Sequence, residues 1–203
     1  MDNICSSVLI VMHLACQSLR AGESTQAVVN ATDLMFMPDI FSTTSNMFFL
    51  SPDSFCYSYD DRANGYARAE AVTVVTLKPL EDAIRDDDPI FAVVRGSASN
   101  QDGRTFDITQ PSLESKQELI RTAYRDAGLE FDDTDYFEAH GTGTQAGDPI
   151  EASAIGAALS QNRPTDENGK LIPLYVGSVK INMGHTKGAS GLSGLIKAVI
   201  ALE

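Results

Sequence analysis

Glu138-Ala139-His140-Gly141-Thr142-Gly143-Thr144-Gln145-Ala146-Gly147-Asp148-Pro149-Ile150-Glu151 carries an imidazole, two threonine hydroxyls and three glycines between two periodic segments. The residues before it, Tyr136-Phe137-Glu138, read as a short strand. Its last four residues have the marks of a helix start: an acid at the cap, Pro at the first helical position and an acid at the third. The helix is expected to continue to about Leu159. Strand, Gly-rich turn and helix in that order form the repeating unit of an α/β sheet, and turns at strand ends are where such sheets place ligands. A single His in such a turn is equally open to a structural reading.

The arrangement recurs downstream. Ile172 to Val179 predicts a strand, Lys180-Ile181-Asn182-Met183-Gly184-His185 a tight turn with a second imidazole, and Gly188, Ala189, Ser190 and Gly191 open a last helix. Two His in two strand-end turns are harder to dismiss than one. A polar loop, Gln161 to Lys170, separates the two units.

Upstream, apolar residues from Val8 to Leu19 recur at spacings of three and four, predicting a helix from about Cys5 to Ala21 with Gly22 as its stop. Gln26 to Asn30 is a short β-type run, followed by a Met- and Phe-rich irregular region to about Phe55 that Pro38 and Pro52 interrupt. Ala71 to Leu77 is nearly continuous in apolar character, as in a strand covered on both faces. Lys78 to Asp88 is polar and is the best boundary between two halves, 1–80 and 89–203. Pro89 to Ser97 predicts a second strand. Ser112 caps a helix to about Ala127, where Gly128 supplies a left-handed stop. The alternation argues an α/β fold with covered parallel strands.

With 15 basic and 28 acidic residues among 203, the formal charge is −13. Nucleic acid and anionic membranes need a basic stripe, so neither is an expected partner. Three Cys without a signal peptide suggest a reducing, cytoplasmic setting. His13, Gln17 and Arg20 make the first helix too polar to cross a bilayer. No Cys-x-x-Cys or His-x-x-x-His pair exists, so no metal site is expected. Gly141 and Gly143 lack the following Lys-Ser/Thr of a phosphate loop. His13 reads as a helix-face residue, Cys16 and Cys56 as inert core thiols, Asp86-Asp87-Asp88 as a solvated turn, and Met35, Phe36, Met37, Phe41, Met47, Phe48 and Phe49 as core or dimer surface. Cys5 lies where a helix begins, and the helix dipole there favours thiolate. From position alone it is either a nucleophile or a small buried hydrophobe.

Asp2 to Cys16 resembles the nucleophile segment of β-ketoacyl synthases, and Glu138 to Glu151 and Gly177 to His185 (GSVKINMGH) resemble their two histidine motifs, in the family's order. Asn64-Gly65-Tyr66-Ala67-Arg68-Ala69-Glu70 and Asn100-Gln101-Asp102-Gly103-Arg104 resemble connecting motifs of ketosynthase domains in multidomain polyketide synthases, closest in wording to fungal-type iterative ones. The resemblance implies an α/β thiolase-like fold, represented here by the end of its N-terminal half and most of its C-terminal half. It implies decarboxylative condensation of an acyl chain on Cys5 with malonyl-carrier protein, and His140 and His185 as N–H donors to the enolate. It also implies that Lys180 pairs with Asp148 and that Thr142 and Thr144 contact phosphopantetheine. No cofactor binds directly, because carrier-protein phosphopantetheine delivers the substrates. The implied partners are the acyl carrier protein, other synthase domains and a second copy in a homodimer of the full enzyme.

The chain departs from the family pattern at Asn3-Ile4, where a Thr-Ala pair is usual, at Val8 (Ser), at Ala71 (Gly) and at Phe106-Asp107 (Pro-Gly). Ile4 adds bulk beside the nucleophile. A complete ketosynthase also has elements that would precede Met1 and follow Glu203, so the isolated chain is expected to show little condensing activity. The rival readings are a non-catalytic fragment or pseudoenzyme and, more distantly, a hydrolase using Cys5 with one His.

Overall fold

The computed structural model describes residues 3–105, 110–160 and 163–202; Phe106-Asp107 and Asp2 of the motifs above lie outside them. A 3₁₀ turn, Ile4–Ser6, leads into α1 (Ser7–Arg20). There follow β1 (Ala27–Asp33), α2 (Pro38–Asn46), β2 (Ala71–Leu77) and α3 (Leu80–Arg85). The second half runs α4 (Leu113–Ala127), β3 (Tyr136–Glu138), α5 (Gly147–Leu159), β4 (Tyr175–Gly177), α6 (Lys180–Met183) and α7 (Ser190–Ile200).

Two cores hold these elements. Val8, Met12 and Cys16 of α1 close on Val29 of β1 and Leu192 of α7. Ile155, Ala158 and Leu159 of α5 close on Ala139, with Ile120 and Tyr124 of α4 packed against them. Burying side chains of this size stabilises a fold by about 1.5–3 kcal/mol each. Ser112 caps α4 as expected, its hydroxyl accepting from Ser115 N–H, and Gly128 ends it at φ 63°.

Several expectations need correction. β1 and β2 pair antiparallel in register Ala27↔Leu77 to Asp33↔Ala71, whereas β3 and β4 are the parallel pair. β2 is not covered on both faces: Thr73 points inward, while Val72 is 67% exposed and Val74 55%. A continuous apolar run shows that both faces can be covered, and no described element covers the outer one. Pro89 to Ser97 forms no strand, having no ladder partner among the described residues; Val94 instead packs on the first core. Pro38 starts α2 rather than breaking structure, since the first helical position needs no N–H donor. Phe36 and Phe48 from that region are 82% and 90% exposed, so they are not core of this chain. The polar boundary contains α3, and the strand expected from Ile172 shortens to Tyr175–Gly177.

The segment 64–70 ties the halves together. Gly65 N–H donates to Gly143 O at 3.0 Å, and His185 N–H to Ala67 O at 2.8 Å. Gly65 sits at φ +127°, and an added Cβ would lie 2.7 Å from the backbone of Phe49, Leu50 and Ser51. Gly65→Ala is expected to cost at least about 2 kcal/mol in urea denaturation. Gly22→Ala, at φ +71° with open space around it, should cost about 1 kcal/mol. Equal costs would show that backbone conformation alone, not close packing, constrains Gly65.

Candidate active site

Cys5 lies in the 3₁₀ turn ahead of α1 rather than in the helix itself. The turn is pinned locally: Asn3 N–H donates to Ser7 Oγ at 2.7 Å, and that hydroxyl donates to Ile4 O at 2.8 Å. Ser190 Oγ at the start of α7 donates to Cys5 O at 3.2 Å. Ile4 adopts φ +50° and is 69% exposed. Its branched side chain therefore points away from the packed interior, and the bulk noted in the sequence takes the form of backbone strain beside Cys5.

His185 follows α6 and is 1% exposed. Its main chain is held on both sides, N–H to Ala67 O and C=O from Ala69 N–H at 3.1 Å. Gly184 permits this approach at φ +88°, with Ala69 Cβ and Ala67 O at 3.1 and 3.2 Å from where a Cβ would stand. The ring meets Tyr66 edge-on at 5.0 Å and His140 at 5.5 Å and 88°. Its Nε2 is 2.9 Å from Cys5 Sγ. Nδ1 is buried without a hydrogen-bond partner among the described residues.

His140 follows β3. Its N–H and that of Gly141 donate to the two oxygens of Glu151, each at 2.8 Å, and Tyr59 OH donates to the same carboxylate at 2.7 Å. Ser178 Oγ donates to His140 O at 3.1 Å. Asp148 accepts from Gly143 and Thr144 N–H at 3.2 and 3.3 Å and from Tyr59 N–H at 2.9 Å. These contacts revise the helix start read from the sequence. α5 begins at Gly147 with no side-chain cap, and both acids turn back to bind the histidine loop. Thr142 is buried, its hydroxyl 3.3 Å from that of Thr144, which accepts from Gly147 N–H.

Lys180 is buried, at 4% exposure, and forms no ion pair with Asp148. Asp148 is occupied by main-chain donors, and the charge of Lys180 acts instead with Glu151, Cys5 and Glu138. Glu138 accepts from Val179 N–H at 2.6 Å and pairs with Lys197 of α7 at 2.9 Å, fixing the turn that carries Lys180. Sequence reasoning missed Glu151 as the clamp of the His140 loop, having read it as a helix-start acid. It also missed Tyr59, which no motif marks. His13 bonds Ser97 and Gln17, away from the site, and Cys16 and Cys56 are buried free thiols.

The electrostatics are those of a neutral cluster. Burial pushes the Cys5 thiol above its ordinary value, and the charges of Lys180 and Lys187 offset this only in part. The thiolate expected from the helix dipole is therefore not the resting form, because desolvation is the larger effect. Burial, reinforced by the charge of neighbouring His140 and of Lys180, holds the His185 ring far below the imidazole range. Protein crowding and Lys180 also push His140 down, to about 4, although its outer face opens to solvent. Both rings are neutral at pH 7. Cys5 Sγ and one nitrogen of each ring lie within 4.8 Å of one another. A thiol and two neutral imidazoles thus surround one small space.

Among the described residues, no helix is long and apolar enough to cross a membrane. Residues 1–83 match the family model of the beta-ketoacyl synthase N-terminal domain, and residues 91–203 that of the C-terminal domain. The chain is 53% identical to the highly reducing polyketide synthase alnA of Emericella nidulans and 51% identical to the compactin diketide synthase mlcB of Penicillium citrinum. Each alignment takes in 100% of this chain and 8% of the relative. Its fold is similar to the ketosynthase from module 6 of the bacillaene synthase of Bacillus subtilis 168, with TM-score 0.91 and 37% identity over 98% of this chain and 35% of that one. The oxazolomycin ketosynthase domain OzmH KS7 of Streptomyces albus JA3453 gives TM-score 0.90 and 36% identity over 98% and 34%. The chain belongs to the β-ketoacyl synthase family and has the thiolase-like fold of polyketide synthase ketosynthase domains.

Proposed function

We propose that this chain carries the acyl-transfer and condensing centre of a polyketide synthase, with Cys5 as nucleophile and His140 and His185 as enolate stabilisers. The observation that supports the reading is the convergence of Cys5 Sγ and the two imidazoles from three distant segments. In the first step sulfur attacks the carbonyl of an acyl-carrier thioester. The Cys5–acyl bond forms, the bond to the carrier's pantetheine sulfur breaks, and the proton given up by Cys5 leaves on the pantetheine thiol. In this reading the neutral His185 ring donates its Nε2–H to the sulfur, 2.9 Å away, as that proton is lost.

In the second step the bond between the malonyl carboxylate and its α-carbon breaks and releases carbon dioxide. The electron pair passes into an enolate whose oxygen receives N–H bonds from the two neutral rings. The α-carbon then attacks the Cys5 thioester, the new C–C bond forms, and Cys5 leaves as thiolate and is reprotonated. In this reading Lys180 offsets negative charge during each step, and Asp148 and Glu151 hold the His140 loop by its backbone. Thr142 and Thr144 line the approach of the phosphopantetheine arm, and the carrier protein, other synthase domains and a second copy in a homodimer are the partners. The two halves of the domain divide within Lys78 to Asp88. Carrier proteins are acidic, so at −13 the encounter depends on tethering rather than attraction.

Incubated with an acyl-carrier thioester and read by intact mass, the protein is expected to gain one acyl group. Cys5→Ala should abolish it and Cys16→Ala should keep it; an adduct that survives Cys5→Ala would overturn the assignment. Decarboxylation of malonyl-carrier, assayed with a chelator present, should stay flat as pH falls through about 6.5, the ordinary imidazole value. Both rings are already neutral there, and loss is expected only toward the His140 value of about 4. A half-maximal fall at about 6.5 would show that an imidazole of ordinary basicity limits the step.

A further inference from the structure

We propose that Cys5, His140 and His185 form a reversible binding site for a soft divalent cation of the zinc class, which blocks the nucleophile when bound. Spacing in the sequence gives no hint of it, since the ligands come from the 3₁₀ turn before α1, the loop after β3 and the turn after α6. Their donor atoms nevertheless all lie within 4.8 Å of one another. One thiolate and two imidazoles suit a zinc-like ion, which takes sulfur at about 2.3 Å and nitrogen at about 2.0 Å. The contact between Cys5 Sγ and His185 Nε2, 2.9 Å, must open modestly to admit an ion. His140 faces solvent on one side, which provides both an entry path and an open fourth position for water.

The surroundings select the class of ion. Hard cations need several oxygen ligands, and the carboxylate that holds the His140 loop is committed. Both oxygens of Glu151 already accept from His140 N–H, Gly141 N–H and Tyr59 OH. Lys180 and Lys187 oppose a second positive charge, while Glu151 and Glu138 offset Lys180. His185 Nδ1 has no partner among the described residues to orient the ring or raise its basicity as a ligand. These features argue for exchangeable binding, not a resident structural ion. Binding is redox-neutral: the Cys5 S–H bond breaks, its proton goes to solvent, and a sulfur–metal bond forms. The binding itself does not depend on the condensing reading; only its inhibitory consequence does.

Cobalt(II) is the probe. Titrated into the full chain, it should produce a sulfur-to-cobalt charge-transfer band and intense tetrahedral d–d bands. Zinc(II) should displace them, magnesium should not, and chelator should restore free thiol. Cys5→Ser should abolish the charge-transfer band, Cys16→Ala and Cys56→Ala should keep it, and His140→Ala should weaken affinity about tenfold or more. Circular dichroism on each variant separates loss of ligand from loss of fold. Zinc(II) should also slow iodoacetamide alkylation of Cys5 at least about tenfold. A weak octahedral spectrum, a charge-transfer band that survives Cys5→Ser, or undiminished alkylation under saturating zinc(II) would overturn the proposal. Binding with intact spectra but no effect on acyl transfer would count against the condensing role of Cys5 and leave the metal site standing.

Discussion

The parallel pairing of β3 with β4 is the constraint on which the site depends. Its register, Tyr136↔Tyr175 to Glu138↔Gly177, and the bond from Ala139 N–H to Gly177 O at 2.7 Å bring two chain reversals to one sheet edge. One delivers His140 and the other Lys180 and His185. A slip of one residue would turn each side chain to the opposite face, separating the imidazoles although every local element stayed intact. The α5 core behind β3 and the α1–α7 core beside it hold that edge at the height of Cys5.

Around the edge, the acidic side chains are spent on main-chain groups. Glu151 and Asp148 together accept from the backbone N–H groups of His140, Gly141, Gly143, Thr144 and Tyr59. A carboxylate with this many donors organises a loop as a small covalent ring would, because its two oxygens together fix two peptide planes in Glu151 and three in Asp148. It also leaves the nearby cation, Lys180, without an ion-pair partner among the described residues. In the proposed reaction the positive field therefore falls where negative charge would pass from sulfur to enolate and back.

How far the sequence disclosed this depends on the range of each interaction. The cap of α4 by Ser112, its stop at Gly128 and the strand at Tyr136 were legible because a few adjacent residues decide them. The histidine loops were legible as strand-end turns, and the family resemblance supplied their partnership with Cys5. Side-chain destinations were not legible. Asp148 and Glu151 show the pattern of a helix start, and only the folded backbone reveals that Gly143 and His140 offer them better donors. The surroundings of Cys5 were open at the level of sequence for a related reason: a helix start can be read locally, whereas burial depends on His185 and α7, far away in the chain. Nor could an apolar run such as Ala71 to Leu77 say which of its faces would meet a neighbour.

His185 is anchored by backbone partners, whereas the main chain of His140 is held by the side chains of Glu151 and Ser178. Two main-chain bonds to Ala67 and Ala69 hold its position, and the imidazole itself contributes nothing to that hold. The mount is thus independent of the ring, which packs edge-on against Tyr66 and His140. In the proposed reaction, exchange of this side chain would remove an enolate donor while the two main-chain bonds keep the turn in place. Overall shape alone therefore does not tell a chain that carries this ring from one that lacks it.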